Sequence, residues 1–203
     1  ALVYECLRRE GENNKGDKGN RGDWGKENGG NWEELGAVLP KDLARFRHCD
    51  GPSGHIESHY PLADVSTGSS GHGFSAALGL AILQKSNGLA SKVWVFAGDA
   101  ETEEGMSYEA RNSINAMGID NVIVSLDHNH FGIDGPITEV MAAPYINYWR
   151  GAGWNVIEID GHNILELAAA YRQAAEGFGN GCPTVVICHT IKGKYYGRLA
   201  GTA

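Results

Sequence analysis

The chain has 203 residues, 42% of them hydrophobic and 21% charged, which is enough to bury one sizeable core and too apolar for a wholly disordered chain. Its formal net charge of −8, with no basic cluster, argues against a nucleic-acid or anionic-membrane surface and makes a small-molecule ligand the expectation. Cys6, Cys49, Cys182 and Cys188 show no CxxC spacing and are too few for a disulfide scaffold, so they read as reduced thiols of a cytoplasmic protein.

Residues 1–10, ALVYECLRRE, are charged and amphipathic and read as a leading helix, without the basic start or apolar run of a signal peptide. The first residue is not Met, so the chain is expected to begin after processing or inside a longer gene. Residues 11–31 hold one aromatic and no aliphatic residue, too little burial to offset ordering entropy, and read as a polar surface insertion. The remainder, 32–203, reads as one domain. Its apolar stretches are too short and too Gly-rich for the roughly 20 residues that span a bilayer.

From residue 74 the pattern is regular. Helical stretches are expected at 74–85, 103–118, 139–153 and 164–178, alternating with the apolar runs VWVFA (93–97), VIVSL (122–126), WNVIEI (154–159) and TVVIC (184–188). Strongly apolar, β-branched strands alternating with helices predict an α/β fold, a parallel sheet with helices on both faces. Asn163 with Glu166 three residues on predicts a capping box at the start of the last helix.

In open parallel sheets ligands bind beyond the carboxyl ends of the strands, so the residues following each run matter most. Gly98-Asp99-Ala100 follows the first run, and Asp127-His128-Asn129-His130-Phe131 follows the second. Asp99, Asn129 and a nearby carbonyl offer three hard oxygen ligands of the kind Mg²⁺ takes beside a diphosphate, and the metal lets a carboxylate sit next to an anionic cofactor. Taken alone, Glu101, Glu103 and Glu104 read as no more than acids favouring a helix N-terminus.

The segments GDAETEEGMSYEA and DHNHFGIDG, with Asp99 and Asn129 thirty positions apart, resemble the GDG…N thiamine diphosphate motif of transketolases. GHIESHYPLADVSTGSSGHGFSAALGLA, GWNVIEIDGHN and HTIKGK extend the resemblance over about residues 33–194. It implies a thiamine diphosphate-binding fold, with Mg²⁺ (or Ca²⁺) held by Asp99, Asn129 and the Phe131 carbonyl. It places Gly68 and the Ala100 amide against the diphosphate, and Ser70, Ile133 and Ile191 along the thiazolium ring. Glu104 matches a carboxylate that meets the partner subunit, and His55 a donor-side histidine that binds sugar hydroxyls or moves protons. His72 and His130 fall near the implied cofactor, and the other histidines read as structural or surface residues. Trp154, Tyr145 and Tyr148 read as core.

The implied activity is transfer of a two-carbon ketol unit from a ketose phosphate to an aldose, within a homodimer or heterotetramer. Three departures bear on it: GDA for GDG, Ser70 within Gly68-Ser69-Ser70-Gly71-His72-Gly73, and Ile56 in the GHPE position. The family's SGHPG and KGH segments and its pyrimidine-binding domain with the activating glutamate are absent, so both ends are expected to lie within a domain and turnover to need a partner. The alternatives are a deoxyxylulose-phosphate synthase, a 2-oxoacid dehydrogenase component, a non-catalytic paralogue or fragment, and a dinucleotide-dependent oxidoreductase using Gly71-His72-Gly73-Phe74-Ser75-Ala76 as GxGxxA.

Overall fold

The structure is a computed structural model; it describes residues 63–141 and 145–201 and, singly, residues 45, 47–49, 55 and 58. The expected leading helix and insertion lie outside the described residues. The chain divides into two units, Ala1–Gly68 and Ser69–Ala203. In the first, Ser66 accepts the Ser58 amide at 2.8 Å and donates to its hydroxyl at 3.1 Å.

The second unit begins with helix α1 (His72–Ser86), followed by β1 (Val93–Gly98), a 3₁₀ turn (Ala100–Glu103), α2 (Gly105–Ala116) and β2 (Val122–His128). Next come α3 (Ile137–Val140), α4 (Tyr145–Gly151), β3 (Asn155–Asp160), α5 (Ile164–Glu176), β4 (Thr184–His189) and a last 3₁₀ turn (Gly197–Leu199). All four strands are parallel, in the order β1-β2-β4-β3. The four expected strands and the α/β class are therefore present.

The inner strands β2 and β4 are buried almost continuously, because both faces are covered. Side chains alternate between faces, so register sorts them into two layers. Val93, Val95, Ala97, Val122, Val124, Leu126, Val185 and Ile187 form one core with Phe74, Ala77 and Ala81 of α1, Ala110 and Ile114 of α2, and Trp149 of α4. The opposite layer meets α5, where Tyr171 packs edge-on against Trp94 with centroids 5.3 Å apart and its hydroxyl lies 2.5 Å from Ser125 Oγ. That helix covers only part of its face: Phe96 of edge strand β1 is 52% exposed.

Trp154 packs as expected, buried against Trp149 with its indole N–H donated to the Arg111 carbonyl at 3.0 Å. The Arg111 guanidinium lies over the rings of Tyr108, Tyr148 and Trp149, and burial pulls its pKa down. Tyr148 is thus half-buried beside Tyr108, as a core-edge residue.

Helix boundaries differ from the sequence expectation by a residue or two at several ends, and three differences have a clear physical cause. The helix expected over 103–118 starts at Gly105, because Glu104 is extended (φ −68°, ψ 139°) and separates it from the 3₁₀ turn. The helix expected over 139–153 is two helices, α3 and α4, with Pro144 before the second; a proline disfavours helical backbone in the residue preceding it. The last helix stops at Glu176, where Gly177 takes φ +80°.

The expected cap is present in a variant form. Asn163 accepts the amides of Leu165 and Glu166, but Glu166 reaches back to the amide of Asp160, not to that of Asn163. Among the described residues no helix is long and apolar enough to cross a membrane, and Cys49, Cys182 and Cys188 are free.

Candidate functional site

Pairing of β1 with β2 brings Gly98 opposite Asp127, and the Asp99 amide continues the ladder to the Asp127 carbonyl at 3.1 Å. The segments after both strands therefore leave the sheet side by side. The Asp99 carboxylate is 1% exposed, and its contacts organise the edge. Oδ1 accepts the Ala100 amide at 2.8 Å and Oδ2 accepts the His130 amide at 2.6 Å, while His128 Nδ1 stands 3.3 Å from Oδ2. A buried carboxylate requires such donors, since an unpaired one would be expensive.

Asn129 is held between its neighbours. Its Nδ2 donates to Asp127 Oδ2 at 2.8 Å and its Oδ1 accepts the Phe131 amide at 3.0 Å. Thr190, beyond β4, holds the other Asp127 oxygen. The loop after Asn129 folds back on itself: Gly132 donates to the Gly135 carbonyl and Ile137 to the His130 carbonyl. In the resulting bridge between Phe131 and Pro136, the carbonyl of His130 and the amide of Gly132 are used, and the Phe131 carbonyl accepts no backbone bond among the described residues.

Asp99 and the segment carrying Asn129 and Phe131 lie side by side: the amide that Asp99 grips belongs to the residue between the other two. Three oxygens of carboxylate, amide and carbonyl type fit a hard cation such as Mg²⁺.

Ala100 explains how a methyl replaces the motif glycine. A Cβ built on Gly132 would sit 3.4 Å from Ala100 Cβ, so the methyl faces the Gly132 backbone. The Ala100 amide is turned to Asp99. Glu104 is exposed at the start of α2 and Ser70 is exposed before α1. Ile133 is 96% exposed; Ile191 is 52% exposed, with its amide donated to His162 Nε2 at 2.9 Å. His55 and Gly68 belong to the first unit, and nothing obstructs a Cβ built on Gly68.

Three residues not singled out for the site take part in its construction. Glu101, read from sequence as favouring a helix start, accepts the Gly71 amide at 2.9 Å and the Gly98 amide at 3.4 Å, binding the turn before α1 to the end of β1. Lys192 donates to the Gly132 carbonyl at 3.2 Å and joins the loop after β4 to that after β2. Asp127 positions Asn129. The Glu101 and Lys192 contacts span 30 and 60 positions, so no local pattern announces them; Asp127, at a strand end beside Asn129, was visible. Partial desolvation holds the His130 imidazole below its usual pKa, reinforced by His128 and opposed by Asp99.

Gly71 is required by its conformation. Its φ is +84°, and an added Cβ would lie 2.9 Å from Ser107 Oγ and 3.2 Å from Glu104 Cβ. Gly71→Ala should cost about 2 kcal/mol, from the left-handed backbone and the contact with α2, as measured by urea unfolding; a cost under about 0.5 kcal/mol would mean that the turn relaxes.

The sequence profile described as "Transketolase, thiamine diphosphate binding domain" matches residues 38–203. The chain belongs to that family. Among curated relatives, it is 38% identical over 132 residues to the 6-deoxy-6-sulfo-D-fructose transketolase subunit SqwG of Clostridium sp. (strain MSTE9), covering 64% of this chain and 47% of that one. It is 34% identical over 152 residues to an apulose-4-phosphate transketolase subunit of Phocaeicola vulgatus, covering 74% of this chain and 53% of the relative. Transketolase-like protein 2 of Bos taurus is 36% identical over 168 residues, 80% of this chain and 26% of its own length.

The crystal structure of transketolase from Campylobacter jejuni superposes with a TM-score of 0.72 at 28% identity, covering 79% of this chain and 26% of that one. The match thus spans about half of each subunit-type relative and a quarter of the longer transketolases. The dinucleotide reading fails on the fold as well: residues 63–70 contain no strand to precede Gly71.

Proposed function

We propose that this transketolase-family chain provides the diphosphate- and Mg²⁺-binding part of a transketolase that transfers a two-carbon ketol unit from a ketose phosphate to an aldose in the cytoplasm. The observation that carries the reading is the convergence of Asp99, Asn129 and Phe131, fixed by the 2.6 Å bond from the His130 amide to Asp99. Asp99, Asn129 and the Phe131 carbonyl would hold the metal. Gly68 and the Ala100 amide, the latter shared with Asp99, would meet the diphosphate, and Ser70, Ile133 and Ile191 the thiazolium.

Bound thiamine diphosphate supplies the carbanion chemistry of such reactions. The residues of this chain would orient it: a pair of exposed isoleucines offers apolar contact, His55 would bind sugar hydroxyls or move a proton at the donor, and Glu104 would face a partner subunit. The activating glutamate would come from a pyrimidine-binding domain or subunit, in a homodimer or heterotetramer. Two of the relatives are named as subunits of transketolases, which favours the heteromeric arrangement.

Titration calorimetry of the chain with thiamine diphosphate in Mg²⁺ should give one site per chain, and ketol transfer should appear only on adding a pyrimidine-domain chain. Binding of NAD in place of thiamine diphosphate would sink the proposal.

A further inference from the structure

Three imidazoles gather at the carboxyl edge for reasons that neither the thiamine cofactor nor the buried aspartate demands. Register pairs the last residues of β2 and β4, His128 and His189, directly, and their ring centroids lie 5.3 Å apart. His130 follows in a left-handed conformation, φ +68°, and its ring stands 4.1 Å from that of His128. Such backbone costs a non-glycine residue about 1–2 kcal/mol, and here it turns the side chain back over the strand end. Asp99 faces His128 alone through a ring nitrogen, so burial of that carboxylate does not account for His130 or His189.

We propose that His128, His130 and His189 form a site for a transition-metal ion of the Zn²⁺ class, beside the oxygen site of Asp99 and Asn129. One ligand nitrogen from each ring lies within 4.8 Å of the others. Tetrahedral zinc, with bonds of about 2.0–2.1 Å, asks for nitrogens about 3.3 Å apart, a closure that rotation of the exposed His130 ring can provide. Imidazole nitrogen suits Zn²⁺, Co²⁺ and Ni²⁺, whereas Mg²⁺ takes oxygen, so the two sites differ in the ion they select.

The surroundings match those of ligating histidines. His189 Nε2 lies 3.5 Å from Glu158 Oε2, a carboxylate placed to accept its N–H and leave the other nitrogen for metal.

The test is calorimetric titration of ZnCl₂ into the full chain without thiamine diphosphate, with the Co²⁺ absorption spectrum as a second readout. One ion should bind per chain, and tetrahedral Co²⁺ bands should appear. His130→Ala and His189→Ala should each weaken binding at least 10-fold while retaining the circular dichroism of the parent. His48→Ala, in the first unit, should not change it. Absence of Zn²⁺ binding, or equal binding by the His130 and His189 variants, would overturn the proposal. The readout needs no thiamine cofactor, so its failure leaves the reading of Asp99 and Asn129 untouched.

Discussion

Asp99→Ala is expected to abolish binding of thiamine diphosphate with Mg²⁺, and to do so by more than the roughly 10–100-fold effects seen when only an outer-shell partner of a metal ligand is lost. The substitution removes the charged ligand of the proposed metal site and, with it, the acceptor for two amides, those of Ala100 and His130. Leaving buried donors unpaired costs about 1–3 kcal/mol each, so the variant should also unfold at lower denaturant. Asp99→Asn separates the two effects. Its amide oxygen still accepts one of the N–H groups, so part of the stability should return while the cofactor affinity does not. Calorimetry and urea unfolding on the same samples make the comparison, and an Asp99→Ala chain that binds the cofactor like the parent would exclude Asp99 as a ligand.

Trp149→Ala should be the most damaging single change to stability, at about 3–5 kcal/mol for a fully buried large aromatic. Trp149 is 2% exposed and lies against Phe74 of α1 and Trp154 before β3, with the Arg111 guanidinium 5.7 Å from its ring. Domain stabilities are about 5–15 kcal/mol, so the loss is a large fraction of the total. Equilibrium unfolding in guanidinium chloride measures it. A cost below about 1 kcal/mol would mean that α4 does not close this core.

The parallel sheet was legible because β2 and β4 are buried on both faces and their sequences are apolar throughout. β1 behaves differently: Val93, Val95 and Ala97 are buried while Phe96 is half exposed, since α5 does not reach over the whole edge. Helix ends were less legible. Glu103 and Glu104 are good helix-start residues, yet the extended backbone at Glu104, ordinary for an N-cap, sets the true start. Pro144 was read through as part of one helix, although the sterics of the residue before a proline favour a break there.

Within the site, Asp99 and Asn129 could be found because both follow adjacent strands and need only topology to meet. Glu101 could not, because its bond to Gly71 depends on where α1 starts in space. The His128–His189 pair was hidden for a related reason, since it exists only through the register of β2 against β4. The methyl of Ala100 stands out in the sequence as a departure from the motif glycine; in the fold it is directed at Gly132, a position with no side chain.

The bonds that tie Asp99 to the His130 amide, and Asn129 to Asp127 and the Phe131 amide, have a kinetic meaning. In the proposed site the oxygen donors are held by the protein's own backbone and side chains, so an arriving cation would find its ligands in place with little loop ordering left to be done. Association should then be limited by the water the ion must shed, and discrimination between ions should reside in how quickly each one leaves.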